Sequence, residues 1–72
     1  MKDELKIGDQ VEILLDAKFG ERAGWHAGMI FNIEPYSDHR SFYWVRFNAE
    51  VSASLGISQI SVFNLKKIRK VG

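Results

Sequence analysis

Seventy-two residues, 46% of them hydrophobic and nine of them aromatic, make a single domain too apolar to be a disordered chain. With no cysteine the chain has neither disulfides nor a thiolate zinc site, and its two histidines, His26 and His39, are too few for the usual structural zinc set. Net charge is +1 but unevenly spread: residues 1–36 sum to −3 and residues 37–72 to +4, a slight bias toward an anionic partner.

The start, Met1-Lys2-Asp3-Glu4, is charged and lacks the apolar run of a signal peptide. No stretch approaches the roughly 20 apolar residues of a membrane span, and the missing cysteine suits a reducing compartment. The expectation is a cytoplasmic domain with no membrane contact.

In chain order, Gly8-Asp9 is a turn signal ahead of Val11-Glu12-Ile13, an alternating strand with Val11 and Ile13 toward the core. Asp16 to Gly24, with Gly20, Gly24 and several charges, reads as an exposed loop. Trp25 to Ile33 reads as a long strand interrupted by Gly28, where a bulge or a close backbone approach is expected. Ile30 and Ile33 are three apart, and only a bulge or bend puts both on one face of a strand. Pro35 to Ser41 is the clearest loop signal. Phe42 to Phe47 is a strong strand, with Tyr43, Val45 and Phe47 on one side and Phe42, Trp44 and Arg46 on the other. Asn48 to Gly56 is small and polar apart from Val51 and Leu55 and reads as a long connection. Ile57 to Val62 is a fourth strand, 63–65 a tight turn, and Lys66 to Val71 a short last strand with Ile68 inward. The sum is an all-β, five-stranded small barrel spanning residues 1–72, with a single 3-10 turn before the last strand.

The frame Gly8-Asp9-x-Val11-x-Ile13, Trp25-x-x-Gly28-x-Ile30, Tyr43-x-Val45-x-Phe47 and Leu65-x-x-Ile68 resembles the SH3-like and Tudor-like barrels over nearly the whole chain. Its motifs are turn and core positions, so the resemblance implies a fold more than a function. Val45-Arg46-Phe47 and the segment from Gly56-Ile57 to Leu65 are similar to photosystem I subunit IV, from which this chain departs in the longer aromatic-bearing segment at Pro35 to Ser41. The Trp25 to Phe47 stretch resembles Tudor and agenet domains, which bind peptides through aromatic cages. The opening Gly8-Asp9-x-Val11, Trp25 and the ending Val62, Leu65, Ile68 are similar to the plasmid-borne type II dihydrofolate reductases. Their active pore is built from a Val-Gln-Ile-Tyr run repeated by four subunits. The nearest text here, Ser58-Gln59-Ile60-Ser61, lacks the tyrosine and sets Gln59 one residue out of register.

Catalytic motifs are missing. His26, His39, Asp38 and the serines stand in no nucleophile motif, and Gly20 and Gly24 are not followed by a phosphate-loop Lys-Ser or Lys-Thr. Asp38-His39-Arg40 is ordinary turn chemistry, and the Asp3 and Glu4 carboxylates imply no pocket. The expectation is therefore a binding module with no cofactor, metal or catalytic residue.

The outward side chains carry the functional reading. Phe42 and Trp44, with Met29 and Phe31 on the neighbouring strand, point away from the core, and such a patch favours a homo-oligomer joined through these four residues. A protein or peptide partner is the first ligand class, met by Trp25, Tyr36, Tyr43, Trp44 and Arg46 as an aromatic-rimmed groove. Nucleic acid is the second, met by Lys66, Lys67, Arg69 and Lys70 around Ile68, with Arg40 and Arg46 extending the strip.

Overall fold

The computed structural model describes residues 5–38 and 40–71. Asp3, Glu4 and His39, weighed above for catalysis and metal binding, lie outside them. Five strands, β1 (Gln10–Leu15), β2 (Gly24–Ser37), β3 (Arg40–Phe47), β4 (Gln59–Val62) and β5 (Ile68–Lys70), form one antiparallel sheet in the order β4-β3-β2-β1-β5. A 3-10 segment (Ala17–Arg22) follows β1, a helix α1 (Ala49–Leu55) joins β3 to β4, and a 3-10 turn (Leu65–Lys67) precedes β5. The all-β expectation, its five strands and its turn before the last strand agree with this. The sheet itself is not closed: β4 and β5 are its free edges.

Period-two alternation builds the core. Val11, Ile13 and Leu15 point inward from β1 and meet Ile30, Val45, Phe47, Val62 and Ile68, all buried. The two isoleucines three apart are reconciled by a bulge. Ile30 faces Val45, the next pairs are Asn32 with Trp44 and Ile33 with Tyr43, and Phe31 is the extra residue. Tyr43 and Ile33 thus pack against the inner cluster, while Phe31 and Trp44 stand on the outer face. Gly28 is buried where β2 crosses Phe47, the close approach its lack of a side chain suggested.

Two connections differ from the sequence reading. Pro35 to Ser41 is mostly strand: Pro35 pairs with Ser41 and Ser37 with Arg40, so only residues 38 and 39 separate β2 from β3. A second register shift at Tyr36 absorbs the proline, and packing of the Tyr36 ring on Phe42 and Phe63 favours the longer hairpin over a loose loop. Asn48 to Gly56 is not a plain connection but α1. The Asn48 side chain accepts the Val51 N–H at 2.9 Å as an N-cap. Gly56, at φ 80°, ends the helix and donates its N–H to the Ser52 carbonyl at 2.9 Å. Val51 and Leu55, four apart, turn one helical face to the core. The segment between β1 and β2 is exposed as expected, yet it is wound into 3-10 turns broken at Gly20 and sends Phe19 against the core. Among the described residues, no helix is long and apolar enough to cross a membrane.

Candidate functional site

Two surfaces hold the candidate residues. The first is the outer face of the β2–β3 hairpin. Phe31 and Trp44 meet with ring centroids 6.5 Å apart, and the Arg46 guanidinium lies 4.4 Å from the Phe31 centroid. Trp44 Nε1–H donates to Glu34 Oε1 at 3.3 Å, and Met29, paired with Arg46, remains 39% exposed. Further along β3, Phe42 packs against Phe63 at 4.9 Å and Tyr36 at 5.7 Å, and Tyr36 reaches Phe63 at 5.4 Å. The Arg40 guanidinium stands 5.3 Å from the Phe63 ring. Met29, Phe31, Phe42 and Trp44 therefore share a face, as expected, but in two groups. Phe42 belongs with Tyr36 and Phe63, and Phe31 with Trp44. Phe63, assigned to a turn from sequence, is the residue that completes the first group.

The second surface is a pair of hollows on the flank of the sheet. One, of about 340 Å³, runs between β1 and β4 and is lined by Leu14, Leu15, Phe19, Ile60, Val62 and Lys67 among others. The other, of about 360 Å³, is lined by Arg40, Ser41, Tyr43, Leu65 and Lys66, and the two share Phe63 and Asn64. Both volumes fall at the small end of the ~300–1,000 Å³ range of ligand pockets. Leu65 is 58% exposed at the second hollow.

Trp25, Tyr36 and Tyr43 do not converge. Trp25 pairs with Leu14 on the outer face beneath Arg69, whose guanidinium lies 3.9 Å from its ring centroid. Tyr36 is 67% exposed at the tip of the hairpin, and Tyr43 is on the inner face. An open cage of these three is not formed. The Tyr36–Phe42–Phe63 group is filled by its own rings.

Comparison with known proteins finds no family model, no curated protein and no solved structure that matches the chain.

The C-terminal cations are not one strip. Lys67 Nζ lies 3.4 Å from Asp16 Oδ2, Arg69 Nε 2.7 Å from Glu12 Oε1, and Lys70 Nζ 3.7 Å from Asp9 Oδ2. Strand alternation sends Arg69 to the outer face and Lys70 to the other side, and the 3-10 turn points Lys66 into the hollow beside Arg40. Among the described residues, no carboxylate stands within 4 Å of Lys66, Arg40 or Arg46. At Asp16 partial burial pushes the carboxyl up, but the Lys67 and Lys18 charges and hydrogen bonds from Lys67 and the Lys18 backbone outweigh it and hold it below its ordinary value.

His26 Nε2 is 2.6 Å from the Arg22 carbonyl, which can only accept, so that nitrogen carries the proton. Arg22 Nε donates to the Ser54 carbonyl at 2.6 Å and ties the first 3-10 segment to α1. Gln59 is exposed on the outer face opposite Arg46, and Ile60 turns inward.

Proposed function

We propose that this chain is a non-catalytic interaction module of SH3-like barrel architecture that associates with a second copy of itself through the outer face of the β2–β3 hairpin. The strand order supports the barrel. β1 lies between β2 and β5, a 3-10 turn leads into β5, and residues of β1 and β4, three strands apart in the sheet, line one hollow.

One observation carries the function: Met29, Phe31 and Trp44 lie on the face opposite the core, Met29 exposed and the two rings half-buried, with no helix or strand of the described residues packed over that face. Removing apolar area from water stabilises by roughly 25 cal/mol per Å², and contiguous apolar patches of this kind mark interaction sites. The face also carries Glu34 and Arg46, one charge of each sign, so two copies meet without net repulsion and each supplies the same patch. Phe42, Tyr36 and Phe63 extend the contact toward the hairpin tip, where a protein partner other than a second copy is the broader form of this reading. The nucleic-acid reading has less support, because three of the four C-terminal cations already face carboxylates.

Light scattering on a sizing column tests it. Wild type elutes with the mass of an oligomer at high micromolar concentration. Trp44→Glu elutes as a folded monomer, because the side chain is outside the core. Leu65→Glu, on the other surface, keeps the oligomer. A Trp44→Glu variant with wild-type mass contradicts the proposal.

A further inference from the structure

The geometry points to a second binding site that meets the outer-face group only at Phe63 and Arg40: the free edge of β4, along the hollow it shares with β1, takes an extended peptide segment as an added strand, with an acidic residue at one end of that segment held by Arg40 and Lys66. The argument begins with backbone hydrogen bonds. In an antiparallel pair, alternate residues bond to one neighbour and the intervening ones face the other way. Phe47 N–H donates to the Ser58 carbonyl, so Ser58, Ile60 and Val62 bond toward β3, and Gln59 and Ser61 direct their N–H and C=O groups to the open edge. On β1, Val71 N–H donates to the Gln10 carbonyl, so Gln10, Glu12 and Leu14 face the β5 side. The Ile13–Ile68 pair is flanked by Glu12 with Arg69 and Leu14 with Lys67, so the β1 backbone is taken up on that side and the open backbone edge is that of β4.

Ser61, whose backbone edge β3 does not use, lines the 340 Å³ hollow whose opposite bank includes Leu14. Edge strands are commonly blunted by charge, proline or bulges. Residues 58–62, Ser-Gln-Ile-Ser-Val, have no charge and no proline, and β4 pairs with β3 without a register shift. Leu15, Phe19, Ile60 and Val62 supply apolar walls for the side chains that alternate along an added strand.

The occupant follows from walls and charge. A second folded copy offering its own strand edge brings its own sheet into Phe19 and Lys67, which bound the hollow, and a single extended segment does not. Past Phe63 and Asn64 the second hollow holds Arg40 and Lys66, with no carboxylate of the described residues within 4 Å, beside Ser41 and Tyr43. That end accepts a carboxylate. The expected ligand is a protein segment of alternating apolar residues followed by Asp or Glu.

The probe is a fluorescein-labelled decapeptide of alternating valine and threonine ending in two glutamates, with a glutamine-ended twin. Wild type binds the glutamate peptide at least fivefold more tightly than the twin, and Arg40→Ala with Lys66→Ala removes the difference. Saturating peptide slows hydrogen exchange at the Gln59 and Ser61 amides. Ser61→Pro removes an edge donor that β3 does not use, so circular dichroism is unchanged and affinity falls at least tenfold. Trp44→Glu, which tests the outer face, leaves peptide binding intact. Should Ser61→Pro fail to fold, the wild-type amide protection decides alone. Unprotected amides, equal binding by folded Ser61→Pro, or equal affinity for the two peptides overturns the proposal. A peptide-independent dimer abolished by Ser61→Pro also overturns it, in favour of pairing between copies.

Discussion

Replacing Gly28 by Ala places a methyl group where β2 crosses β3, and the structure gives the size of the clash. An ideal Cβ at Gly28 lies 2.6 Å from Val45 Cγ1, 2.9 Å from the Arg46 carbonyl oxygen and 3.4 Å from Phe47 Cδ1. Carbon atoms rest at about 3.5–4.0 Å, so the first contact overlaps by roughly 1 Å. Neither near neighbour can move cheaply. Val45 is fully buried among Val11, Ile13 and Ile30, and the Arg46 carbonyl belongs to the sheet backbone. Overpacking of this kind costs about 1–3 kcal/mol, and the rigid surroundings argue for the upper half of that range. For a domain of this size 1 kcal/mol moves Tm by about 4–8 °C, so Gly28→Ala should melt roughly 10–20 °C below wild type. Thermal unfolding followed by circular dichroism reads this directly. A fall of less than about 3 °C refutes the pairing of Gly28 with Phe47 and the close approach inferred from it.

Other consequences follow from the caps, the ion pair and the outer-face stacking. Asn48→Ala removes the cap of α1 and should lower stability by about 1 kcal/mol, and Asn48→Asp should restore it in the same urea titration. Gly56→Ala forces a side chain into the left-handed region at φ 80° and should also destabilise, by about 1 kcal/mol. The folded-state carboxyl of Asp16 is held below its ordinary 3.8, so its contribution is present above that value and lost as pH falls through the lowered folded one. Asp16→Asn should therefore unfold more easily than wild type at pH 7 and converge with it at low pH; a constant difference across the range contradicts the pairing with Lys67. Arg69→Ala uncovers the Trp25 ring and should shift its fluorescence to the red in a Trp44→Phe background, whereas an unchanged spectrum argues against the stacking.

The parts legible in the sequence were those governed by local rules. Alternation placed Val11, Ile13, Val45 and Phe47 inward, and the spacing of Ile30 and Ile33 required the bulge at Phe31. The helix at Ala49–Leu55 was legible in principle, since Asn48, Val51 with Leu55, and Gly56 supply a cap, a core-facing stripe and a stop; its small polar residues masked that pattern. Pro35 misled because proline is a turn signal, and only tertiary packing of Tyr36 on Phe42 and Phe63 extends the hairpin past it. The candidate sites were legible as residue types and not as groupings. Lys67, Arg69 and Lys70 read as a strip because their carboxylate partners Asp16, Glu12 and Asp9 are more than 50 residues away in sequence. Phe63 joined the outer face, and Lys66 met Arg40 and Tyr43, through the same long-range crossings.

The central claim is that Met29, Phe31 and Trp44 form a contact between copies, and sedimentation equilibrium over a dilution series tests it most directly. The account predicts a mass that falls from oligomer to monomer as wild-type protein is diluted from high micromolar, with Trp44→Glu monomeric throughout. A wild-type mass equal to one chain at every concentration contradicts it.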